Sequence, residues 1–421
     1  MEKQVWLRAL GGSGENGRNC FAVEYGDGVF LLDCGVKREI RDGQTGFYPE
    51  LTRDFVSRVS AVFISHCHED HTAALPLLFA LGYRGKVYAS AETAAMTPSF
   101  IAKWTDFVKQ NRGSLPFSSE DAKNIRIEKL PSGGAVEGIP FITGRSGHAP
   151  GGIWFHFDFE GRRVFYSGDM TLEPLLLAAD MPPACDAAIL NCAHAGMRLN
   201  SREQYAALER TVGAALSAGG MVLLPVPPAG RGSDLYWYLS GRLRDAPLFV
   251  DQNILTAYDE LIAGTEWVKQ GLPVSRRTEA RVVPVNTRAQ REEAWRGGCG
   301  VYLAGDGMLS TADSRFCYEQ IKGRRDSKII ITGHAAAGTI AAEVQDKSFR
   351  DRNGVACGVE KIILKAHLDE GDAAAVQGYL VAKQIVLFHA ARDKCDSAVK
   401  LLEKTGATVR CIAPSDRILA A

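Results

Sequence analysis

Ser65-His66-Cys67-His68-Glu69-Asp70-His71-Thr72 decides how the rest of the chain is read. The short apolar run from Val59 to Ile64 before it predicts a buried strand. Ala73-Ala74-Leu75-Pro76-Leu77-Leu78-Phe79 after it reads as the start of a helix, with Thr72 as its cap and Pro76 confined to the first turn. Three imidazoles and one carboxylate therefore fall on a loop at the carboxyl end of a strand. Such a cluster is costly in a core, where polar groups need partners. It suits a divalent metal, because neutral imidazole and carboxylate are good zinc donors. The bland alternative is a polar surface turn that happens to be rich in histidine; the spacing His-x-His-x-Asp-His favours the metal.

The whole chain bounds what this loop can belong to. At 421 residues it exceeds one ordinary core, so two domains are expected. Apolar content of 46% with 23% charged residues is that of a soluble globular protein. Lys+Arg and Asp+Glu balance at 49 each, so nucleic-acid binding must come from a local patch and not from a global field. The ten cysteines include no Cys-x-x-Cys pair, which argues against a thiolate zinc site. The opening Met-Glu-Lys-Gln-Val-Trp has no charged-then-apolar signal, and no apolar run reaches membrane length. No membrane partner and a reducing, cytoplasmic location are the resulting expectations.

Taken in order, Val5 to Leu10 predicts a strand, followed by Gly11-Gly12-Ser13-Gly14-Glu15-Asn16-Gly17. Gly12-x-Gly14-x-x-Gly17 has the spacing of a dinucleotide fingerprint, which needs a helix next. Asn19-Cys20-Phe21-Ala22-Val23-Glu24-Tyr25 is instead strand-like, and Gly26-Asp27-Gly28 makes it a hairpin with Val29 to Gly35. The glycine loop is thus expected to pass beneath the metal site. Lys86 to Ala89 predicts another strand, and Ala91 to Val108 a helix interrupted at Pro98. His148 stands in a glycine-rich turn before the alternating strand Ile153 to Phe159. Arg163 to Tyr166 leads to Ser167-Gly168-Asp169, so His148 and Asp169 can share one sheet edge with the histidine loop.

The stretch Leu31-Leu32-Asp33-Cys34-Gly35, the His66 to His71 loop, Gly147-His148 and Ser167-Gly168-Asp169 resemble, in order and spacing, the motifs of the metallo-β-lactamase superfamily. The opening Ala9-Leu10-Gly11-Gly12-x-Gly14-Glu15-x-Gly17 with Asn19 is similar to the start of ribonuclease J enzymes. Strand–helix repeats follow Asn191, with Gly230-Arg231 after the strand Met221 to Val226. With Gly305 to Leu309 and Thr332 to Thr339, they resemble the β-CASP insertion of nucleic-acid-processing members. Ala366-His367-Leu368-Asp369 and Ile385 to His389 are similar to its histidine motifs. The implied fold is α/β: an αββα metallo-β-lactamase sandwich over 1–195 and 346–421, with an inserted β-CASP domain over 196–345. No extra C-terminal domain of the ribonuclease J kind is expected after Ala421.

What the resemblance implies can be written with roles. His66, His68 and His148 would hold one Zn2+; Asp70, His71 and His389 a second; and Asp169 would bridge both. Two metals about 3.5–4 Å apart can clamp the attacking and leaving oxygens of a phosphodiester. Asp70 would orient the attacking hydroxide, and His367, off the metals, would bind the phosphoryl oxygen or protonate the leaving group. Asp33 would brace the loop. Six of the nine histidines fall at these positions; His156 reads as structural, and His334 as a residue near the cleft. The resemblance points to a zinc-dependent ribonuclease acting on single-stranded RNA, with a homodimer possible. Two other readings are a weak or inactive RNA-binding scaffold subunit and a small-molecule ester or thioester hydrolase. Asn191 stands where the family has an acidic residue, and is expected to partner His367 without charging it. Lys365 and Ala390-Ala391 also depart from the family pattern.

Overall fold

Alternation and β-branching in the strands Val5–Gly11, Cys20–Tyr25, Gly28–Leu32 and Val59–Phe63 give a sheet buried on both faces. A computed structural model describes residues 3–274, 280–336, 338–414 and 416–420. Ala337, within the predicted turn from Thr332 to Thr339, lies outside the described residues. The chain divides into two units: residues 1–172, 179–198 and 367–421, and residues 173–178 and 199–366.

The first unit contains two seven-stranded sheets. One has the spatial order Arg417–Leu419, Val5–Gly11, Cys20–Tyr25, Gly28–Leu32, Val59–Phe63, Val87–Ala89 and Ile127–Lys129. The other runs Thr408–Arg410, Gln384–Phe388, Ala187–Asn191, Arg162–Tyr166, Ile153–Phe159, Ile139–Arg145 and Gly133–Val136. Their facing sides meet through aromatic rings. Phe63 lies 4.9 Å from Phe157 and 5.6 Å from Phe155, while Phe21 lies 5.1 Å from Phe388. Each such ring, removed from water, stabilises the sandwich by about 1.5–3 kcal/mol before entropy is counted. Outside the first sheet, the helices Leu75–Ala80 and Ala91–Gln110 cover Leu31 and Val62. Outside the second, Glu370–Leu380 and Arg392–Glu403 cover Leu190 and Leu387. The layers are helix, sheet, sheet, helix.

The second unit is a parallel sheet of six strands, Arg281–Val285, Pro247–Asp251, Gly300–Ala304, Met221–Pro225, Lys328–Ile331 and Gly358–Lys361, in that spatial order. Helices bury both faces, as parallel strands require.

Three expectations need correction. Thr72 does not cap a helix: it ends the short helix Glu69–Thr72, and its hydroxyl donates back to the carbonyls of Cys67 (3.0 Å) and His68 (2.9 Å). Pro98 does not interrupt Ala91–Gln110; the lost internal hydrogen bond is outweighed by burial of Ile101, Trp104 and Val108 on one face. The chain returns to the first unit at His367, not near residue 346. Gly358–Lys361 pairs in parallel with Lys328–Ile331 and so belongs to the second unit's sheet. Residues 173–178 also belong there, with Leu176 and Leu177 in its core.

Candidate metal centre

Every expected site residue lies in the first unit, where strands deliver it to one edge. His66 and His68 follow Val59–Phe63, and Asp70 and His71 sit in the single turn Glu69–Thr72. His148 occupies the loop between Ile139–Arg145 and Ile153–Phe159, and Asp169 follows Arg162–Tyr166. His389 directly follows Gln384–Phe388 and adopts φ +66°, anchored by its N–H to the Gly12 carbonyl at 2.9 Å. The glycine loop therefore touches the site through its backbone. Gly35 is needed as glycine, because a Cβ there would lie 1.6 Å from the Asp70 carbonyl oxygen.

Buried Asp33 fixes the histidine loop. Its carboxylate accepts from the Ser65 N–H (2.7 Å), the Ser65 hydroxyl (2.7 Å), the Tyr166 hydroxyl (2.5 Å) and His71 Nδ1 (2.6 Å). Two consequences follow for proton placement. Because Nδ1–H of His71 is spent on Asp33, Nε2 faces Asp70 Oδ2 at 3.6 Å and Asp169 Oδ1 at 3.4 Å. Because the Ser65 hydroxyl donates to Asp33, it accepts from His66 Nδ1 at 3.1 Å, which leaves the His66 Nε2 lone pair aimed inward.

Three overlapping groups of donor atoms converge there, two of them separate and the third, His148, Asp169 and His367, drawing on both. His66 Nε2 lies 3.0 Å and His148 Nε2 3.2 Å from His68 Nδ1, so three imidazole nitrogens point at one another. Asp70, His71, Asp169 and His389 form the second group, with His389 Nε2 at 3.0 Å from Asp70 Oδ2 and 3.3 Å from Asp169 Oδ2. Asp169 Oδ2 also lies 3.7 Å from both His66 Nε2 and His148 Nε2, so one carboxylate faces both groups. Inward lone pairs beside carboxylates call for cations, and this nitrogen–oxygen set fits divalent metal.

Protons stand in for cations in the second group. Burial disfavours charge on His71, but Asp169, Asp70 and Asp33 outweigh it and hold the imidazole well above its usual range. His389, similarly opposed by burial, is raised to about 10 by Asp169 and Asp70. Burial raises Asp70, yet His71 and His389 bring it down to about 2. Asp169 is likewise raised by burial but held well below the carboxylate range, chiefly by His389 and His71. In the first group burial dominates: His66 falls well below its usual value and His68 to about 3. Neutral imidazoles are ready ligands.

His367 lies beside both groups, with Nδ1 3.5 Å from Asp169 Oδ2 and its ring 4.6 Å from that of His148. Its side chain is 19% exposed, and burial pushes it well below the usual imidazole range. Asn191 overturns an expectation. Its Nδ2 donates to Asp169 Oδ1 at 2.8 Å, so it partners the shared carboxylate and not His367. The ring of His194 lies 5.5 Å from that of His367. His156 is structural, its Nε2 3.1 Å from the Ala184 carbonyl. His334 is an exposed residue of the second unit. Asn19 gave no sequence signal of its role: its Nδ2 lies 2.9 Å from His71 Nε2 and 3.2 Å from Asp70 Oδ2. Tyr166 was equally hidden, as one of several apolar-leaning positions in an alternating strand.

Residues 13–188 match the Metallo-beta-lactamase superfamily. That match falls within the αββα unit, and the relatives that the chain resembles are consistent with the β-CASP ribonuclease group. Transcription termination factor FttA of Cenarchaeum symbiosum is 27% identical over 373 residues, covering 82% of this chain and 57% of that protein. Endoribonuclease YSH1 of Candida albicans is 25% identical over 437 residues, covering 92% and 49%. The RNase J-like protein of Methanocaldococcus jannaschii is 26% identical over 391 residues, covering 87% of each. The chain thus spans about half the length of the first two relatives. A crystal structure of a protein of unknown function from Enterococcus faecalis V583 has the same fold, with TM-score 0.62, 13% identity, and coverage of 99% of this chain and 100% of that one. No helix among the described residues is long and apolar enough to cross a membrane.

Proposed function

We propose that the protein is a zinc-dependent nuclease that hydrolyses phosphodiester bonds of single-stranded RNA. The observation that carries this reading is Asp169, whose carboxylate faces two separate donor groups at once. His66, His68 and His148 would hold one Zn2+, Asp70, His71 and His389 the other, with Asp169 shared between them. Bound zinc supplies Lewis acidity, which acidifies water and offsets charge on phosphoryl oxygens. The chain's own residues do the rest. Asp70, side chain 25% exposed, can accept a proton from water and orient it toward phosphorus. His367, held neutral by burial, presents an N–H to a phosphoryl oxygen or to the leaving oxygen. Names of the relatives support RNA as the substrate: YSH1 is an endoribonuclease, and another is RNase J-like.

Incubating the chain with 5′- and 3′-labelled RNA, with zinc and with chelator, tests the proposal. A product ladder that chelator abolishes and Asp169→Ala lacks is expected. A wild-type protein holding two zinc equivalents and cleaving nothing would sink it and leave an RNA-binding scaffold.

A further inference from the structure

Phe100 stands apart from the other aromatic residues of its helix. Ala91–Gln110 turns Thr93, Thr97, Ile101, Trp104 and Val108 to the interior. Trp104 is fully buried and donates its Nε1–H to the Tyr48 hydroxyl at 3.1 Å, and Phe107 packs against the same core. Phe100 flanks that stripe and is only half-buried. Its ring centre lies 5.4 Å from that of the His68 imidazole, with the planes at 62°, and Lys103 Nζ lies 4.5 Å from the Phe100 ring centre.

The helix is also tied to the loop that carries His148. The Gly151 carbonyl accepts from the Ser90 hydroxyl at 2.7 Å and from the Thr93 hydroxyl at 3.0 Å, so the first turn of the helix is held there. Phe100 is thereby fixed at the rim of the donor groups. Lys103, about one turn further on, is exposed and makes no ion pair among the described residues. Arg38 differs: its guanidinium lies 4.2 Å from the Phe107 ring centre, but two hydrogen bonds of 2.7 Å to the Glu69 carboxylate neutralise it. Core packing accounts for Trp104 and Phe107. It does not account for a half-exposed ring set between a histidine of the site and a cation with no carboxylate partner. That combination of aromatic face and lysine is what single-stranded nucleic acid uses, bases on the ring and phosphates on the charge.

We propose that Phe100 is a stacking platform for one base of single-stranded RNA beside the metal centre, and that Lys103 takes the adjoining phosphate. The inference rests on the RNA reading above and adds which residues hold the strand. Lys103 covers the ring from the solvent side. A base arriving there displaces the ammonium, whose flexible stem carries it to a phosphate of the same strand. Every base offers a π-face, so the platform holds the strand without selecting its sequence.

Stopped-flow anisotropy of the zinc-loaded full chain with fluorescein-labelled decauridylate reads binding before turnover, and a decamer of abasic riboses is the control without bases. Phe100→Leu should weaken decauridylate by about 5–150-fold and leave the abasic decamer unchanged, while Phe100→Trp keeps the wild-type preference. Lys103→Ala should weaken both decamers alike and reduce the slope of log affinity against log salt by about 0.7. Zinc content is measured on each variant. A base-dependent loss in a protein that binds RNA without cutting it keeps the platform and removes the nuclease. Equal decauridylate affinity in wild type and Phe100→Leu, with the RNA still cleaved, overturns the platform and leaves the nuclease. Equal weakening of both decamers by Phe100→Leu, or loss of zinc from it, shows that Phe100 only props His68 and also overturns the platform. A wild type that neither binds nor cleaves decauridylate overturns both.

Discussion

Asn191 donates its side-chain N–H to Asp169, with Nδ2 2.8 Å from Oδ1, and both residues are buried. The amide therefore sets the orientation of the one carboxylate that faces both donor groups. Asn191→Leu keeps the shape and removes the donor, so zinc affinity should fall about 10–100-fold. Asn191→Asp restores a donor only while one of the two carboxyls is protonated, so its affinity loss should deepen as pH rises. Competition with a chromophoric chelator at two pH values reads both effects. Wild-type affinity in Asn191→Leu would remove Asn191 from the centre.

Asp33 accepts from four donors in a buried setting. In Asp33→Asn an amide N–H would oppose one of those donors, and the His71 ring would lose its anchor. Stability should fall by about 3 kcal/mol, and zinc content by about one equivalent. Tyr166→Phe removes a single donor and should cost about 1 kcal/mol. Urea unfolding with parallel elemental analysis separates the two variants; equal losses would contradict the network.

His367 and His389 sit 5.1 Å apart, ring to ring, yet only His389 contacts Asp70 within 3.0 Å. His367→Ala should keep about two zinc equivalents while turnover falls on the order of 10²–10⁴-fold. His389→Ala should bind about one equivalent. Matching metal loss in both would mean that His367 is itself a ligand, as its place beside His148 and Asp169 permits.

The metal-free protein should show a distinctive pH dependence. His389 rises from 6.5 to about 10 on folding, so its contribution is complete below pH 6.5 and is lost as pH climbs toward 10. Asp70 falls from 3.8 to about 2, so its contribution holds above pH 3.8 and is lost as pH drops through 2. Chelator-treated protein should thus lose melting temperature steadily above neutrality. Zinc should reverse that slope, because it competes with the same protons. Parallel melting curves with and without zinc between pH 6.5 and 9 would refute the coupling.

The sequence made the histidine loop and the later His and Asp motifs legible because their residue types are scarce and their chemistry is specific. Strands such as Val59–Phe63 and Ile153–Phe159 were readable from apolar content and period. Gly358–Lys361 was not, since Gly-Val-Glu-Lys has little strand signal and is recruited by pairing with Lys328–Ile331. The partner of Asn191 was hidden for another reason. Side-chain direction at the end of a strand is set by tertiary packing, and here it turns toward Asp169. Likewise Asn19 reaches His71 across 52 positions of sequence, a separation that carries no local pattern.

The order in which the edge strands arrive has a consequence for synthesis. Ala187–Asn191 lies between Arg162–Tyr166 and Gln384–Phe388, so it remains an open sheet edge until the later strand emerges. The roughly 200 residues between Asn191 and His389 take on the order of 10–40 s to translate at about 5–20 residues per second. Through that interval the nascent chain already carries His66, His68 and His148 but still lacks His367 and His389. A half-built centre therefore travels on the ribosome beside messenger RNA, and His367, the residue proposed to meet the phosphoryl or leaving oxygen, is delivered late, with His389 after it.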